Sequence, residues 1–193
     1  MHFYRIFSKI YEKAAKKMCL ACADFIKKGS KILDLGCGSG IIGKTFQDFF
    51  QAEVLGVDVK DYRILPFPFQ LYDGFRLPFS ENSFDIVLIN YVLHHSKDPI
   101  ALLKEAKRVA KDKIIIHEDL LNGFLASLIC RLHESTYRVF HHQKNPSSFR
   151  SEGEWEKIFK DIGLDVIFKK RVNNFPVKKQ LFILGARARS SVG

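Results

Sequence analysis

A glycine-rich run that follows an acid is the part of this sequence best suited to chemistry. Residues 33–40 read LDLGCGSG and lie between a predicted strand, 31–35, and a predicted helix, 41–50. Glycine adopts backbone angles that other residues avoid, and it lets a ligand approach the N–H groups at a helix N-terminus. The spacing G-x-G-x-G is one position tighter than the G-x-G-x-x-G of dinucleotide-binding folds. This spacing favours a nucleoside ligand without a pyrophosphate.

A second acid follows at the end of the next predicted strand. Asp58 ends the run AEVLGVD, 18 residues after Gly40. Ligands of open parallel sheets bind outside the carboxyl ends of the strands, where an acid accepts hydrogen bonds from ribose hydroxyls. That role suits a dinucleotide as well as other nucleosides, so these two elements leave the ligand open.

The elements around these motifs alternate between strand and helix. Apolar runs predict strands at 31–35, 52–58, 67–71, 84–90 and 113–117, and helical periodicity predicts helices at 3–28, 41–50 and 99–110. Near-continuous apolar strands that alternate with helices indicate a parallel sheet covered on both faces. Ser151 and Glu154 have the spacing of a capping box, which predicts a helix over 152–162. Strands at 165–172 and 180–186 then predict a hairpin at one sheet edge.

Taken together, the motifs closely resemble those of the class I S-adenosylmethionine-dependent methyltransferase superfamily, in particular its methyltransferase type 11 group. The resemblance covers about 31–120 and rests on DLGCGSG (34–40), VD (57–58), the LPF and SFD segments within 73–85, and LHH (93–95). It implies an α/β fold, a Rossmann-like three-layer sandwich whose seven-stranded sheet is mostly parallel with the last strand antiparallel. It also implies S-adenosyl-L-methionine as the cofactor and S-adenosyl-L-homocysteine as its product.

The resemblance assigns roles residue by residue. It implies that Asp34, Gly36, Cys37 and Gly38 hold the methionine part, that Asp58 binds the ribose, that Val59, Asp73 and Gly74 frame the adenine, and that the Asn90 backbone lies beside the sulfonium. One departure from the family pattern concerns the segment after Asp58. It is too short for the usual helix, and Pro66 and Pro68 disfavour one, so a loop is expected there.

Two histidines just beyond the fourth predicted strand are the candidate catalytic residues. An imidazole titrates near pH ~6.5, so His94 or His95 is suited to act as a general base or to orient the acceptor. The alternative is that both pack against the turn before Asp98. A second polar cluster, 117–119, ends the fifth strand and either positions the acceptor or caps the next helix.

Charge divides the chain into three parts. The net charge of +10 comprises +6 over residues 1–31, −3 over 32–119 and +7 over 120–193. Basic flanks suggest an anionic partner, whether RNA, an acidic small molecule or a membrane surface, although a solvated lysine-rich surface explains them equally well.

We expect methyl transfer to a small or amphipathic acceptor, anionic ones included. The alternatives are an RNA or protein methyltransferase that uses its basic flanks, a cofactor-binding protein without activity, and a dinucleotide-dependent oxidoreductase.

Length and composition indicate one domain. The 193 residues, 47% of them hydrophobic, suit a single core. We divide it into an N-terminal helical cap (1–30), a cofactor-binding core (31–119), a helical substrate-side segment (120–150), and a final helix with a β-hairpin (151–193). No apolar run approaches the ~20 residues of a membrane span, and lysines interrupt the region where a signal peptide would be apolar, so a cytoplasmic protein is expected.

The four cysteines lack the number and spacing of a disulfide framework. Cys19 and Cys22 form a CxxC on a predicted helix without a second ligand pair, so packed thiols are expected and no metal site is predicted. The sequence leaves the methylated atom and the oligomeric state open.

Overall fold

The computed structural model describes residues 5–120, 149–173 and 178–186. The predicted N-terminal helix is shorter than its apolar periodicity suggests. Helix α1 spans Ser8–Cys22, and a 3₁₀ turn, Ala23–Phe25, follows it. Ile26 then adopts an extended conformation, which ends the helical segment before Lys28. The side chains that α1 buries are Ala15, Met18, Cys19 and Cys22.

Seven strands form one sheet. They are β1 (Lys31–Leu35), β2 (Glu53–Asp58), β3 (Phe69–Leu71), β4 (Phe84–Asn90), β5 (Ala110–Leu120), β6 (Asp165–Asn173) and β7 (Lys178–Gly185). Their order is β3-β2-β1-β4-β5-β7-β6. Pairing is parallel from β3 to β5, whereas β7 is antiparallel to both β5 and β6. The predicted hairpin is therefore confirmed, with β6 rather than β7 at the edge.

Three further α-helices within the described residues connect and cover the strands. They are α2 (Ile41–Phe50), α3 (Pro99–Val109) and α4 (Glu152–Asp161). The side chain of Asp98 accepts hydrogen bonds from the backbone N–H groups of Ile100 and Ala101, which satisfies the exposed donors at the start of α3. Ser151 and Glu154 form the predicted capping box at the start of α4. Strand β5 begins at the residue after α3, so it is longer than the apolar run 113–117 indicates.

The sheet is buried on both faces. One face packs against α1 and α2 through a cluster that includes Met18, Phe46, Leu88 and Leu181. The other face packs against α3 and α4 through Leu103, Trp155 and Phe182, among others. This is the expected three-layer α/β sandwich, and it explains why the central strands are almost uninterrupted apolar runs.

Parts of two predicted segments lie outside the described residues. Residues 121–148 contain nearly all of the predicted helical substrate-side segment, and residues 187–193 are the end of the segment 151–193. The expected loop between β2 and β3 is present, because no helix occurs between Asp58 and Phe69. The described residues contain no helix that is long and apolar enough to span a membrane.

Candidate cofactor site

The glycine-rich loop lies at the carboxyl end of β1, where it turns into α2. Gly36, Gly38 and Gly40 have φ angles of +75°, +50° and +77°, a region that other residues rarely adopt. The Gly36 and Cys37 N–H groups both donate to the Val57 carbonyl, at 2.8 and 3.1 Å, and so anchor the loop to β2. A Cβ at Gly36 would lie 2.5 Å from Val92 Cγ2, whereas one at Gly38 would meet nothing within 4 Å. Gly38 is thus the position at which the loop is open to a ligand.

An aromatic residue that the sequence analysis did not single out supports this loop from behind. The Phe67 ring is buried, and its atoms lie 2.4 Å and 2.7 Å from where a Cβ would stand at Gly43 and Gly56. These two glycines therefore make room for the ring. Gly56 inside an otherwise apolar strand was the available signal, because a glycine within a strand often marks a close approach by another group.

Asp58 contacts the loop directly. Its Oδ2 accepts a hydrogen bond from the Gly38 N–H at 3.0 Å, and its Oδ1 accepts one from the Val59 N–H at 2.7 Å. Burial raises the pKa of the carboxyl above its usual value, although these N–H groups favour the charged form and oppose the rise. A carboxylate has about four acceptor positions, so two loop contacts leave capacity for the hydroxyls of a ligand.

A buried polar chain connects β1, β4 and β5. His117 Nδ1 lies 2.9 Å from Asn90 Oδ1, and Asn90 Nδ2 donates to Asp34 Oδ1 at 3.4 Å. Burial lowers the pKa of His117 to about 3, so its ring is neutral and Nδ1 carries the donated proton. Sequence analysis named all three residues, but their pairing depends on strands that only the fold brings side by side.

The Asp34 carboxyl is buried and only partly hydrogen-bonded. Its exposed fraction is 1%, and Oδ2 forms no hydrogen bond of good geometry. Burial raises its pKa to about 7, the Asn90 hydrogen bond opposes that rise, and the Asp58 charge adds to it. A buried carboxyl with an unused oxygen is suited to a cationic ligand, because a positive charge would restore the ionised form.

The residues expected around the adenine lie in two neighbouring loops. Val59 is 57% exposed, and its Cγ1 would be 3.1 Å from a Cβ at Gly74, whose φ is +83°. The Asp73 Oδ1 accepts hydrogen bonds from the Phe75 and Arg76 N–H groups, which lowers the pKa of that carboxyl. Val59 and Gly74 therefore form an apolar edge beside an ionised acid.

The two candidate catalytic histidines differ in their surroundings. His94 is 1% exposed, its Nδ1 contacts Glu118 Oε1, and its ring stacks on Phe149 with the centroids 4.6 Å apart. Burial lowers the pKa of His94, but the Glu118 and Asp119 carboxylates and the hydrogen bond to Glu118 outweigh it, and the net shift is upward. His95 is half-buried, and its ring centroid lies 4.0 Å from that of His94.

A cation lies at the edge of the sheet formed by the carboxyl ends of β4 and β5, which we call the rim. Lys179 Nζ is 4.1 Å from the Tyr91 ring centroid and 3.2 Å from Asp119 Oδ1. Tyr91 itself has a φ of +59°, an uncommon conformation for this residue type, directly after Asn90. Burial raises the pKa of Tyr11 on α1, and the Lys179 charge opposes that rise.

The three cysteines that the structure describes belong to the packing rather than to a reactive site. Cys19, Cys22 and Cys37 are free and buried. Cys37 directs its sulfur toward β2, where Sγ lies 2.8 Å from a Cβ position at Gly56, so only its backbone can face a ligand. Burial raises the pKa values of Cys19 and Cys22 to about 12, which leaves both as thiols. Within the described ranges no group of side chains has the composition of a metal centre.

Comparison with known proteins places this fold in a family. A family model described as a methyltransferase domain matches residues 7–168. An uncharacterized methyltransferase of Schizosaccharomyces pombe is 33% identical over 156 residues, which cover 68% of this chain and 56% of that protein. The chain thus spans little more than half the length of this relative.

Solved structures agree with the fold. The PH0226 protein from Pyrococcus horikoshii OT3 has a TM-score of 0.73 and 22% identity, over 97% of this chain and 99% of that one. Magnesium protoporphyrin IX methyltransferase from Synechocystis PCC 6803, solved with bound S-adenosylhomocysteine, has a TM-score of 0.66 and 16% identity, over 91% and 83% of the two chains. The chain therefore belongs to the methyltransferase domain family, within the class I S-adenosylmethionine-dependent superfamily.

Proposed function

We propose that this protein transfers a methyl group from S-adenosylmethionine to a small or amphipathic acceptor. The observation that carries the proposal is the contact between Asp58 Oδ2 and the Gly38 N–H, at 3.0 Å. It joins the acid at the end of β2 to the open position of the glycine loop. A ribose bound by this carboxylate would therefore lie directly beside the backbone that faces the rest of the nucleoside.

The other residues of the site fit the same cofactor. Asp34, with its unused buried oxygen, would bind the ammonium group of the methionine part, and the Gly36 to Gly38 backbone would border it. Val59 and Gly74 would cover the adenine, with Asp73 as acceptor for its amino group. Asn90, which the Asp34 and His117 side chains hold in one orientation, would lie where the methyl group is transferred.

The mechanism requires little chemistry from the side chains. The sulfonium supplies an activated methyl group, so alignment and exclusion of water can provide most of the catalysis, with ~7–11 kcal/mol available from positioning in the best cases. Where the acceptor must lose a proton, His95 is the better placed base, because His94 is held by Glu118 and Phe149. His94 then acts by positioning His95, whose ring it contacts.

The surroundings of the rim favour a small acceptor over a nucleic acid. Asn90, His94 and His117 are each at most 8% exposed, and the Lys179 cation is engaged by Tyr91 and Asp119. A nucleic acid bound at the rim would need cations there that are free to contact its phosphates. Magnesium protoporphyrin, which the name of the Synechocystis protein gives as that enzyme's acceptor, is amphipathic and anionic, an acceptor class we include here.

The experiment is to supply the protein with S-adenosylmethionine labelled in the methyl group together with a cell extract. We expect label in organic-soluble or small aqueous molecules, and none with an Asp58→Asn variant. Label confined to RNA or protein would replace this proposal with the macromolecular alternative. Absence of label despite calorimetric binding of S-adenosylhomocysteine would instead favour a cofactor-binding protein without activity, and binding of NAD alone would exclude the methyltransferase.

A further inference from the structure

The outward face of α1 combines aliphatic and basic side chains. Ile10 and Leu20 are both 66% exposed, and Lys13 and Lys17 lie between them at helical spacing, so the four share one side of the helix. Ile6, 73% exposed, comes just before α1. We call these five residues the outer face of α1. The opposite side of the helix is occupied by the core, through Ala15, Met18, Cys19 and Cys22.

The charges around this face are of one sign. Arg5, Lys9, Lys13, Lys16 and Lys17 are all exposed, and Glu12 is the single acid within 5–22. Within the described ranges none of these five cations forms a salt bridge, whereas lysines elsewhere, such as Lys169 and Lys179, do. The positive charge of this helix is therefore available to a partner.

We propose that the outer face of α1 binds an anionic lipid bilayer surface. Cations surrounding solvent-exposed aliphatic side chains match a membrane interface, where acyl chains take up the aliphatic groups and lipid phosphates pair with the lysines. RNA matches this surface less well. Its phosphates would pair with the lysines, but Ile10 and Leu20 offer its bases neither hydrogen bonds nor a stacking surface.

The outer face of α1 extends from Ile6 to Leu20, along the whole helix, so its proposed membrane contact is separate from the residues of the cofactor site. Membrane binding itself does not depend on the proposed activity, so the two can fail separately.

The test is flotation of the full chain with phosphatidylcholine vesicles, prepared with and without phosphatidylglycerol. We expect binding only to the anionic vesicles. Lys13→Glu with Lys17→Glu should weaken it at least roughly twentyfold, since each lysine near an anionic surface contributes roughly fivefold. Ile10→Ser with Leu20→Ser should weaken it about tenfold or more, because two aliphatic groups would no longer enter the bilayer.

Matched controls test whether binding depends on the outer face of α1 or on exposed charge and apolar groups anywhere on the protein. Lys104→Glu with Lys157→Glu makes the same charge change at exposed lysines on α3 and α4, and Phe49→Ser removes an exposed apolar residue from α2. These variants should bind vesicles as the wild type does. Thermal unfolding of every variant checks that the fold is unchanged.

Four outcomes would overturn the proposal. They are absence of flotation with anionic vesicles, equal flotation with neutral vesicles, equal losses in the control variants, and binding of an RNA oligomer without binding of vesicles. If a second copy of the chain occupied this face instead, light scattering would show a dimer. Ile10→Ser with Leu20→Ser would dissociate that dimer, and the protein would not float with the vesicles.

Discussion

Val92 lies directly beneath Gly36, so that a Cβ at this glycine would come within 2.5 Å of Val92 Cγ2. Gly36 also has a φ of +75°. Two independent constraints therefore act at one position of the loop. Val92 follows the end of β4, so its contact with Gly36 holds the glycine loop against the segment that leads to His94 and His95.

The first prediction concerns this contact. Gly36→Ala should lower the free energy of unfolding by about 3 kcal/mol, from backbone strain and the clash together. Adding Val92→Ala should recover the part due to the clash. Gly153→Ala on α4, where a Cβ would meet nothing within 4 Å, should change stability by less than about 1 kcal/mol. Urea unfolding measures the wild type, Gly36→Ala, Val92→Ala, their combination and Gly153→Ala, and strictly additive effects at 36 and 92 would refute the contact.

The second prediction concerns the acid that contacts the loop. Asp58→Asn should weaken S-adenosylhomocysteine binding by roughly tenfold to a hundredfold, because a charged acceptor would be lost. Asp61→Asn is the control, since that neighbouring carboxylate pairs with Arg63. Isothermal titration calorimetry measures both. Equal affinities for wild type and Asp58→Asn would remove Asp58 from the site.

The third prediction is a pH dependence that arises from Asp34. Burial raises its pKa to about 7, so below that pH the ammonium group of the ligand must displace a proton from Asp34. Affinity for S-adenosylhomocysteine should fall as much as about tenfold per pH unit below pH ~7 and level off above it. Calorimetry in buffers of different ionisation enthalpy should detect proton release. Asp34→Asn should flatten the profile, and an unchanged slope would point to another group.

The same group affects stability in the opposite direction. A carboxyl whose pKa is higher in the folded than in the unfolded state takes up a proton on folding. The contribution of Asp34 to stability is therefore present below pH ~4 and is lost as pH rises toward about 7. Unfolding by urea at several pH values, with and without ligand, should show ligand binding reversing this loss.

The fourth prediction concerns the buried pair of His94 and Glu118. Glu118→Gln leaves an uncompensated imidazolium and should lower the free energy of unfolding by about 3 kcal/mol at acidic pH. The pKa of His94 is raised in the folded state, so the contribution of the pair is full below pH ~6.5 and is lost as pH rises through the folded value.

A solvated pair provides the comparison. Glu156→Gln removes a partner of Lys169 on the surface and should cost at most about 0.5 kcal/mol at any pH. Losses for Glu118→Gln that are the same at pH values above and below the titration of His94 would show that the histidine is neutral throughout.

Local patterns in the sequence predicted most elements of the fold, and they named the motif residues of the candidate site, whose roles stay predictions. The glycine spacing, Asp58 and the capping box at Ser151 depend on neighbours within a few positions, so the sequence alone contains them. Phe67 and Glu118 were harder to assign because their partners are distant in the chain. Phe67 packs on Gly43 and Gly56, and Glu118 meets His94 across 24 positions.

The two faces of β5 illustrate the same limit of prediction from the sequence. His117 and Glu118 are adjacent, so their side chains point to opposite faces of the sheet. One joins Asn90 and the other His94. Sequence analysis treated 117–119 as one polar cluster, because periodicity inside a strand buried on both faces does not distinguish those faces.

The place of β7 between β5 and β6 has a consequence for how this chain folds during synthesis. Strand β6 leaves the ribosome before β7 does, yet among the described strands its sole neighbour is β7. Until Lys178–Gly185 emerges, β6 has no partner and the long edge of β5 is open to other nascent chains. Any truncation before Lys178 should therefore yield aggregates rather than a smaller folded protein.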